Sequence, residues 1–325
     1  MTQKRGESGL IQAGEIPTVK TLAKKFAPPT PAQLKLVEAA AAIREQPDAA
    51  EIAYMARQLV LCTLPHSDPG DVPQWTRSTG NATLGISPGR DYEKNQSIGY
   101  PYGTIPRLLL FWIITEAVRT QQPRLILGRS LAQFMRQVGL DPTSGGKRSD
   151  QKRLKDQMRR LFNARISFQQ HGENHDRWMN MEIAPEGELW WHPREIEQGA
   201  LFESWIDLGS KFFQAVRALP VPVDTRALKA LKRSPLALDM YALICFRAFV
   251  IVQKSIEPQF ISWQMLMQQL GTQYGKLKDF KKEAQAALRK IAVVYPGLTI
   301  GKAKGGFTIH ATRLAVPQKA AAQIR

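Results

Sequence analysis

The chain has 325 residues, 43% of them apolar, which is length enough for two ordinary domains with buried cores and excludes wholesale disorder. It carries 45 Lys and Arg against 28 Asp and Glu, a formal charge of +17, so the expected partner is a polyanion, either nucleic acid or an anionic membrane surface. The membrane is the weaker choice. The apolar run at 108–114 falls short of the roughly 20 residues of a span, the run at 241–252 carries Arg247 in its middle, and "MTQKRGESGL" lacks the apolar stretch of a secretory signal.

In chain order, residues 1–30 are polar, end in "APPTP" and read as a flexible arm. Two alanine-rich helices are predicted next, at 31–45 and 48–61, with apolar residues at helical spacing. Residues 65–104, rich in Gly, Pro, Asp and Asn, read mostly as loop with a short strand at 82–87. Cys62 and Cys245 sit in apolar helical patterns and read as core residues in a reducing cytoplasm, not as a disulfide.

From there the pattern repeats with an offset of about 130 residues. A helix is predicted with Pro106 at its first position, and again with Pro235 there after Ser234 as N-cap. Each is followed by a short apolar run, "RLILG" and "PQFI", and then by "SLAQFMRQVG" and "SWQMLMQQLG", which share Ser, Met, Gln and Gly at matching places. A basic helix follows each, at 147–163 and 276–293, and then two β-like runs around a polar loop. The predicted fold class is α+β. It comprises two tandem winged helix-turn-helix domains at 99–205 and 206–316, after an N-terminal arm with two short helices and loop at 1–98 and before a tail at 317–325.

The stretch "KRSDQKRLKDQMRRL" packs seven basic and two acidic side chains into fifteen residues. On a helix, Leu154, Met158, Leu161 and Phe162 share a core face, while Arg148, Lys152, Lys155 and Arg159 form an arc of about 60° beside it. Arg153 and Arg160 lie on a second polar edge. In the second unit Leu277, Phe280, Ala284, Ala287, Leu288 and Ile291 make the apolar stripe, with Lys278, Lys281, Lys282, Gln285 and Arg289 opposite. An amphipathic helix after a tight turn, with one basic face and too few carboxylates to neutralise it, has the shape that enters a major groove. The expected DNA contacts are Lys147, Arg148, Gln151, Lys152, Lys155 and Arg159 in the first unit and the five opposite residues in the second. Lys302 and Lys304, in the second wing, read equally as backbone contacts or as an exposed hairpin tip.

No catalytic equipment is expected. The Gly-Lys pairs at 146–147, 275–276 and 301–302 lack the rest of a Walker loop. His66, His171, His175, His192 and His310 make no His-hydrophobic-His pair, and no Ser/His/Asp or Cys/His set stands out. No metal or other cofactor is therefore expected.

Three blocks, "TLPHSDP" (63–69), "GYPYGTIPRLLLFWIITEAVRT" (99–120) and "LGRSLAQFMRQVGLDPTSGGKRSDQKRLKDQMRRLF" (127–162), resemble the plasmid-encoded RepA replication initiators, iteron-binding and TrfA-like, over about residues 50–316. The resemblance implies two winged-helix domains on double-stranded plasmid origin DNA at direct repeats, opening of an AT-rich segment, and recruitment of the host initiator and of the replicative helicase or its loader. It also implies a monomer–dimer switch with repression of its own promoter, hence copy control, in a bacterial cytoplasm. A plasmid transcriptional repressor and a DNA-nicking enzyme are the open alternatives. The second-unit contacts rest on helical placement alone.

Overall fold

The structure, a computed structural model, describes residues 28–47, 51–80, 82–143, 149–173, 175–189, 203–254, 258–270 and 274–317. It is a mixed α+β fold. Helix α1 (Pro31–Glu45) starts where Thr30 accepts from the Gln33 amide in a capping box. Strand β1 (Ile52–Ala56), helix α2 (Arg57–Leu61) and strands β2 (Trp75–Thr79), β3 (Ala82–Ser87), β4 (Gly89–Asp91) and β5 (Gln96–Gly99) follow. The first basic unit comprises α3 (Thr104–Thr120), β6 (Arg124–Gly128), α4 (Leu131–Val138), α5 (Asp150–Phe162), β7 (Arg165–His171), β8 (Asp176–Glu182) and β9 (Glu186–Glu188). A link of β10 (Ser204–Asp207), α6 (Ser210–Ala218), β11 (Pro220–Asp224) and α7 (Thr225–Leu231) leads to the second unit. That unit comprises α8 (Pro235–Lys254), β12 (Gln259–Ser262), α9 (Trp263–Leu270), α10 (Leu277–Val294), β13 (Leu298–Ala303) and β14 (Gly306–Ala311).

Both long apolar helices are core elements. Leu109, Leu110, Ile113 and Ile114 of α3 and Ala237, Leu238, Tyr241 and Ile244 of α8 are almost fully enclosed. Helix α8 is long and apolar enough to cross a membrane by composition, yet two thirds of its apolar window lies inside the protein. Cys62 and Cys245 are both buried and unpaired.

Several expected elements differ. Residues 52–56, expected within a helix, form β1, whose register pairs Ile52 with Asp224 and Ala56 with Pro220. A partner so far along the chain overrides the local alanine-rich pattern. Helix α3 begins at Thr104, so Pro106 is its third residue and not its first. Proline costs nothing there, because the amide it lacks would have had no partner within the helix. In the segment expected mostly as loop, the expected strand at 82–87 is β3, and β2, β4 and β5 are additional; β2 and β3 join the hairpin of the first unit in a sheet of order β2-β3-β7-β8.

That sheet breaks the symmetry between the units. In the second, β12 joins its own hairpin in the order β12-β14-β13. In the first, β6 pairs with β10 instead, and the hairpin leans on β3 with Ile86 opposite Ile166. The exchange is held by Arg124, which ion-pairs with Asp207 at 2.5 Å and stacks 4.0 Å from the Trp205 ring centre. Leu277, expected in the apolar stripe, is 43% exposed because it sits at the first residue of α10, beyond the packed turns.

A buried polar cluster ties these layers together. The guanidinium of Arg107 on α3 meets the carboxylate of Asp239 on α8 at 2.8 Å and 2.7 Å. Its other N–H groups donate to the carbonyls of Pro65, Gly103 and Leu64. Neutral His66 donates Nε2–H to Asp239 at 2.7 Å. Burial alone would raise the Asp239 carboxyl, but the Arg107 charge and the two hydrogen-bond donors outweigh it and hold it below its ordinary 3.8. Burial is also the main influence on His66 and lowers it from 6.5, against the pull of Asp239.

Two outcomes follow from this cluster. Asp239→Ala leaves Arg107 charged and buried, and should cost about 3–5 kcal/mol in denaturant unfolding. Because both folded-state values are depressed, the unfolded chain takes up protons first as the medium acidifies. Stability should therefore fall as pH drops below the ordinary His66 value of 6.5, and further below the ordinary Asp239 value of 3.8. His66→Asn should flatten the first of these slopes in unfolding curves recorded across pH.

Candidate nucleic-acid interface

The first basic helix is set by local capping. Ser130 caps α4 by accepting from the Gln133 amide at 3.1 Å, and Gly139 at φ 82° lets the chain turn away. Lys147 and Arg148 lie outside the described residues. Ser149 then caps α5 by accepting from the Lys152 amide. Leu154, Met158 and Leu161 are fully buried, as the helical spacing predicts. Gln157 is buried with them and accepts from the Tyr102 amide at 2.9 Å, which fixes the helix against the start of α3.

On the open side, Lys152, Lys155 and Arg159 are exposed and Gln151 is half-buried. Carboxylates answer part of this charge. Arg159 pairs with Asp91 at 2.5 Å, Arg153 with Asp150 at 3.3 Å, and Arg160 with Asp156 at 3.0 Å and Asp68 at 3.3 Å. The hydrogen bond from Arg159, and then the Lys94 amide, keep the Asp91 carboxyl below its ordinary range. Asp68 and Asp91 escaped the sequence reading. Asp68 lies in the "TLPHSDP" block, but no local pattern announces that either carboxylate meets a helix some 70–90 residues on.

The second helix is barer. Phe280, Ala284, Ala287, Leu288 and Ile291 of α10 face the core. Lys278, Lys281, Lys282, Gln285 and Arg289 all face solvent, joined by Lys290. Among the described residues no ion pair involves any of these cations. Lys302 and Lys304 are exposed on the β13–β14 hairpin, whose turn uses Gly305 at φ 77°. The two faces are therefore each assembled, but each on its own helix.

Other sequence candidates resolve differently. His171 pairs with Asp176 at 2.9 Å rather than with His175. Among the described residues no group of three His, Cys, Asp or Glu side chains is placed to hold a metal. The apolar run of α3 is consumed by the core, and Trp112 packs edge-on against Phe134 at 4.9 Å. Trp178 remains 69% exposed on β8, the outer strand of its sheet, while Trp190 and Trp191 lie outside the described residues.

A family profile described as "Plasmid encoded RepA protein" matches residues 100–265, just over half of the chain. The chain belongs to the plasmid-encoded RepA family. The matched span contains the whole of α3, α5 and α8, and so includes Arg107 and Asp239; α10 lies beyond it. No curated protein matches the chain in sequence. Among solved structures, the selenomethionine derivative of domains 2 and 3 of RctB is similar with a TM-score of 0.46 and 11% identity, covering 80% of this chain and 99% of that one.

Proposed function

We propose that the chain is a sequence-specific, non-enzymatic replication initiator that binds direct repeats in double-stranded plasmid origin DNA through α5 and α10. The observation that carries this reading is the pair of amphipathic helices. Each comes after a short helix in the chain, buries one face, and offers the other as a row of exposed cations. Such rows supply the counterion-releasing contacts of DNA binding, and side chains such as Gln151, Arg159 and Gln285 have the donor patterns that read bases. The second unit has the element order of a winged helix, with Lys302 and Lys304 in its wing. The first unit is a variant in which β10 completes the sheet of β6, so β10 is assigned to it although the expected boundary at 205/206 crosses that strand.

Family membership supports the initiator role and, with it, action in the bacterial cytoplasm where plasmids replicate. Without its own motor, such a protein opens an AT-rich segment by deforming DNA and recruits the host initiator and the replicative helicase or its loader. Binding to its own promoter makes the same contacts serve autorepression and copy control. Exposed Trp178 on an outer strand is a fitting contact for a self-paired dimer.

The test uses the full chain and the plasmid DNA flanking its gene, searched for direct repeats; absence of any such repeat would itself count against the reading. Repeat DNA should bind at least about 1,000-fold more tightly than a shuffled duplex at physiological salt, and a supercoiled plasmid carrying the repeats should stay intact with Mg²⁺ present. Equal binding to shuffled DNA would remove the sequence-specific reading, and a nicked product would make the chain an enzyme.

A further inference from the structure

We propose that the β4–β5 hairpin is a second DNA-contacting element, gripping the phosphate backbone beside the groove that α5 enters. The inference rests on the reading of α5 as a docking helix. Nothing in the sequence pattern singles the hairpin out, and residues 89–99 read there as loop.

The hairpin is fixed to α5 at three points. At its base, a Cβ on Gly89 would lie 2.4 Å from the Asn163 Cβ and 2.7 Å from the Asn163 carbonyl. Opposite it at the base, on β5, Gly99, at φ 89°, approaches so closely that a Cβ would lie 2.6 Å from an Arg160 guanidinium nitrogen. Nearer the tip, Asp91 accepts from Arg159 at 2.5 Å. The turn is ordered as well. Asp91 accepts from the Lys94 amide at 3.1 Å, and the Arg90 guanidinium reaches across to the side chain and carbonyl of Asn95.

This places a rigid tip next to Arg159 on the open side of α5. Lys152, Lys155 and Arg159 span about 10 Å along the helix axis, and the hairpin lies beside the last of them. The tip shows Arg90, Tyr92 and Lys94 to solvent, with Glu93 as its exposed carboxylate. Both partners of Arg90 are neutral, so its charge is uncompensated. Tyr92 is 88% exposed, so the ring contributes little to the fold. A rigid turn carrying Arg, Lys and an open tyrosine hydroxyl matches the side-chain types that hold phosphate and sugar and set the register of a docked helix.

The full chain is titrated onto a mixed-sequence duplex of about 30 bp over a range of salt, read by fluorescence anisotropy. Lys94→Gln should lower the slope of log affinity against log salt by about one, and Arg90→Gln with Lys94→Gln by about two. Tyr92→Ala should weaken binding severalfold with the slope unchanged, and Glu93→Gln should strengthen it. Unfolding curves check that each variant is folded; the Lys94 side chain is exposed, so its variant remains informative if Arg90→Gln disturbs the turn. The parallel variant Lys152→Gln with Lys155→Gln separates the two readings. If it lowers the slope while all hairpin variants bind as the parent, the hairpin proposal is overturned and the helix stands. If it too binds as the parent, the α5 reading falls and the hairpin falls with it.

Discussion

The structure depends on one buried ion pair, Arg107 with Asp239. A guanidinium has five N–H groups, and all five of Arg107 are matched: two to the carboxylate and three to the carbonyls of Leu64, Pro65 and Gly103. Removing an ion pair from water costs several kcal/mol per ion, so burial is tolerable only with this degree of satisfaction. Arginine suits the place because its planar fork reaches carboxylate and carbonyls at once, which a lysine could not do. The pair joins α3 to α8, the central helices of the two units, and His66 closes the remaining side of Asp239. Helix α5 packs on α3 and α10 packs on α8, so the spacing of the two basic faces passes through this cluster.

The charge on those faces is unequal. Three arginines of α5 are held by carboxylates, two of which, Asp68 and Asp91, come from the segment before α3. An arginine already oriented by a carboxylate enters a groove with less rotamer freedom to lose, and its charge is partly offset. The lysines of α10 differ: they are exposed and make no ion pair among the described residues, and a lysine ammonium meets phosphate as a point charge in any sequence context. On the proposed reading, the work is divided between a positioned helix and one whose cations are unpaired among the described residues.

What could be read from the sequence was whatever is local. Periodicity placed the buried faces of α5 and α10, and Ser130, Gly139 and Ser234 marked helix ends through hydrogen bonds to near neighbours. Long-range pairing was invisible. Residues 52–56 look helical until they meet 220–224, and β6 looks like a partner for its own hairpin until Arg124 finds Asp207 and Trp205. Arg107 sat in plain view within a quoted motif, but its partner lies 132 residues away, and no pattern at Asp239 distinguishes a buried carboxylate from a solvated one. Asp91 was hidden for the same reason, inside a segment whose Gly, Asn and Asp content read as loop. The exposed cations were legible as types and spacing; which of them are already paired was not.

The central claim is that one clamped body presents both basic helices to the same duplex. Site-directed cleavage tests it most directly. Iron chelates attached at Lys155→Cys and, separately, at Gln285→Cys would cut DNA wherever each helix docks, with the native Cys62 and Cys245 protected by burial. Each position should yield one cut cluster on a direct repeat, the two offset by about one helical turn, roughly 10 bp, or a multiple of it. Cutting from only one of the two positions, or cuts with no fixed offset between them, would contradict the account.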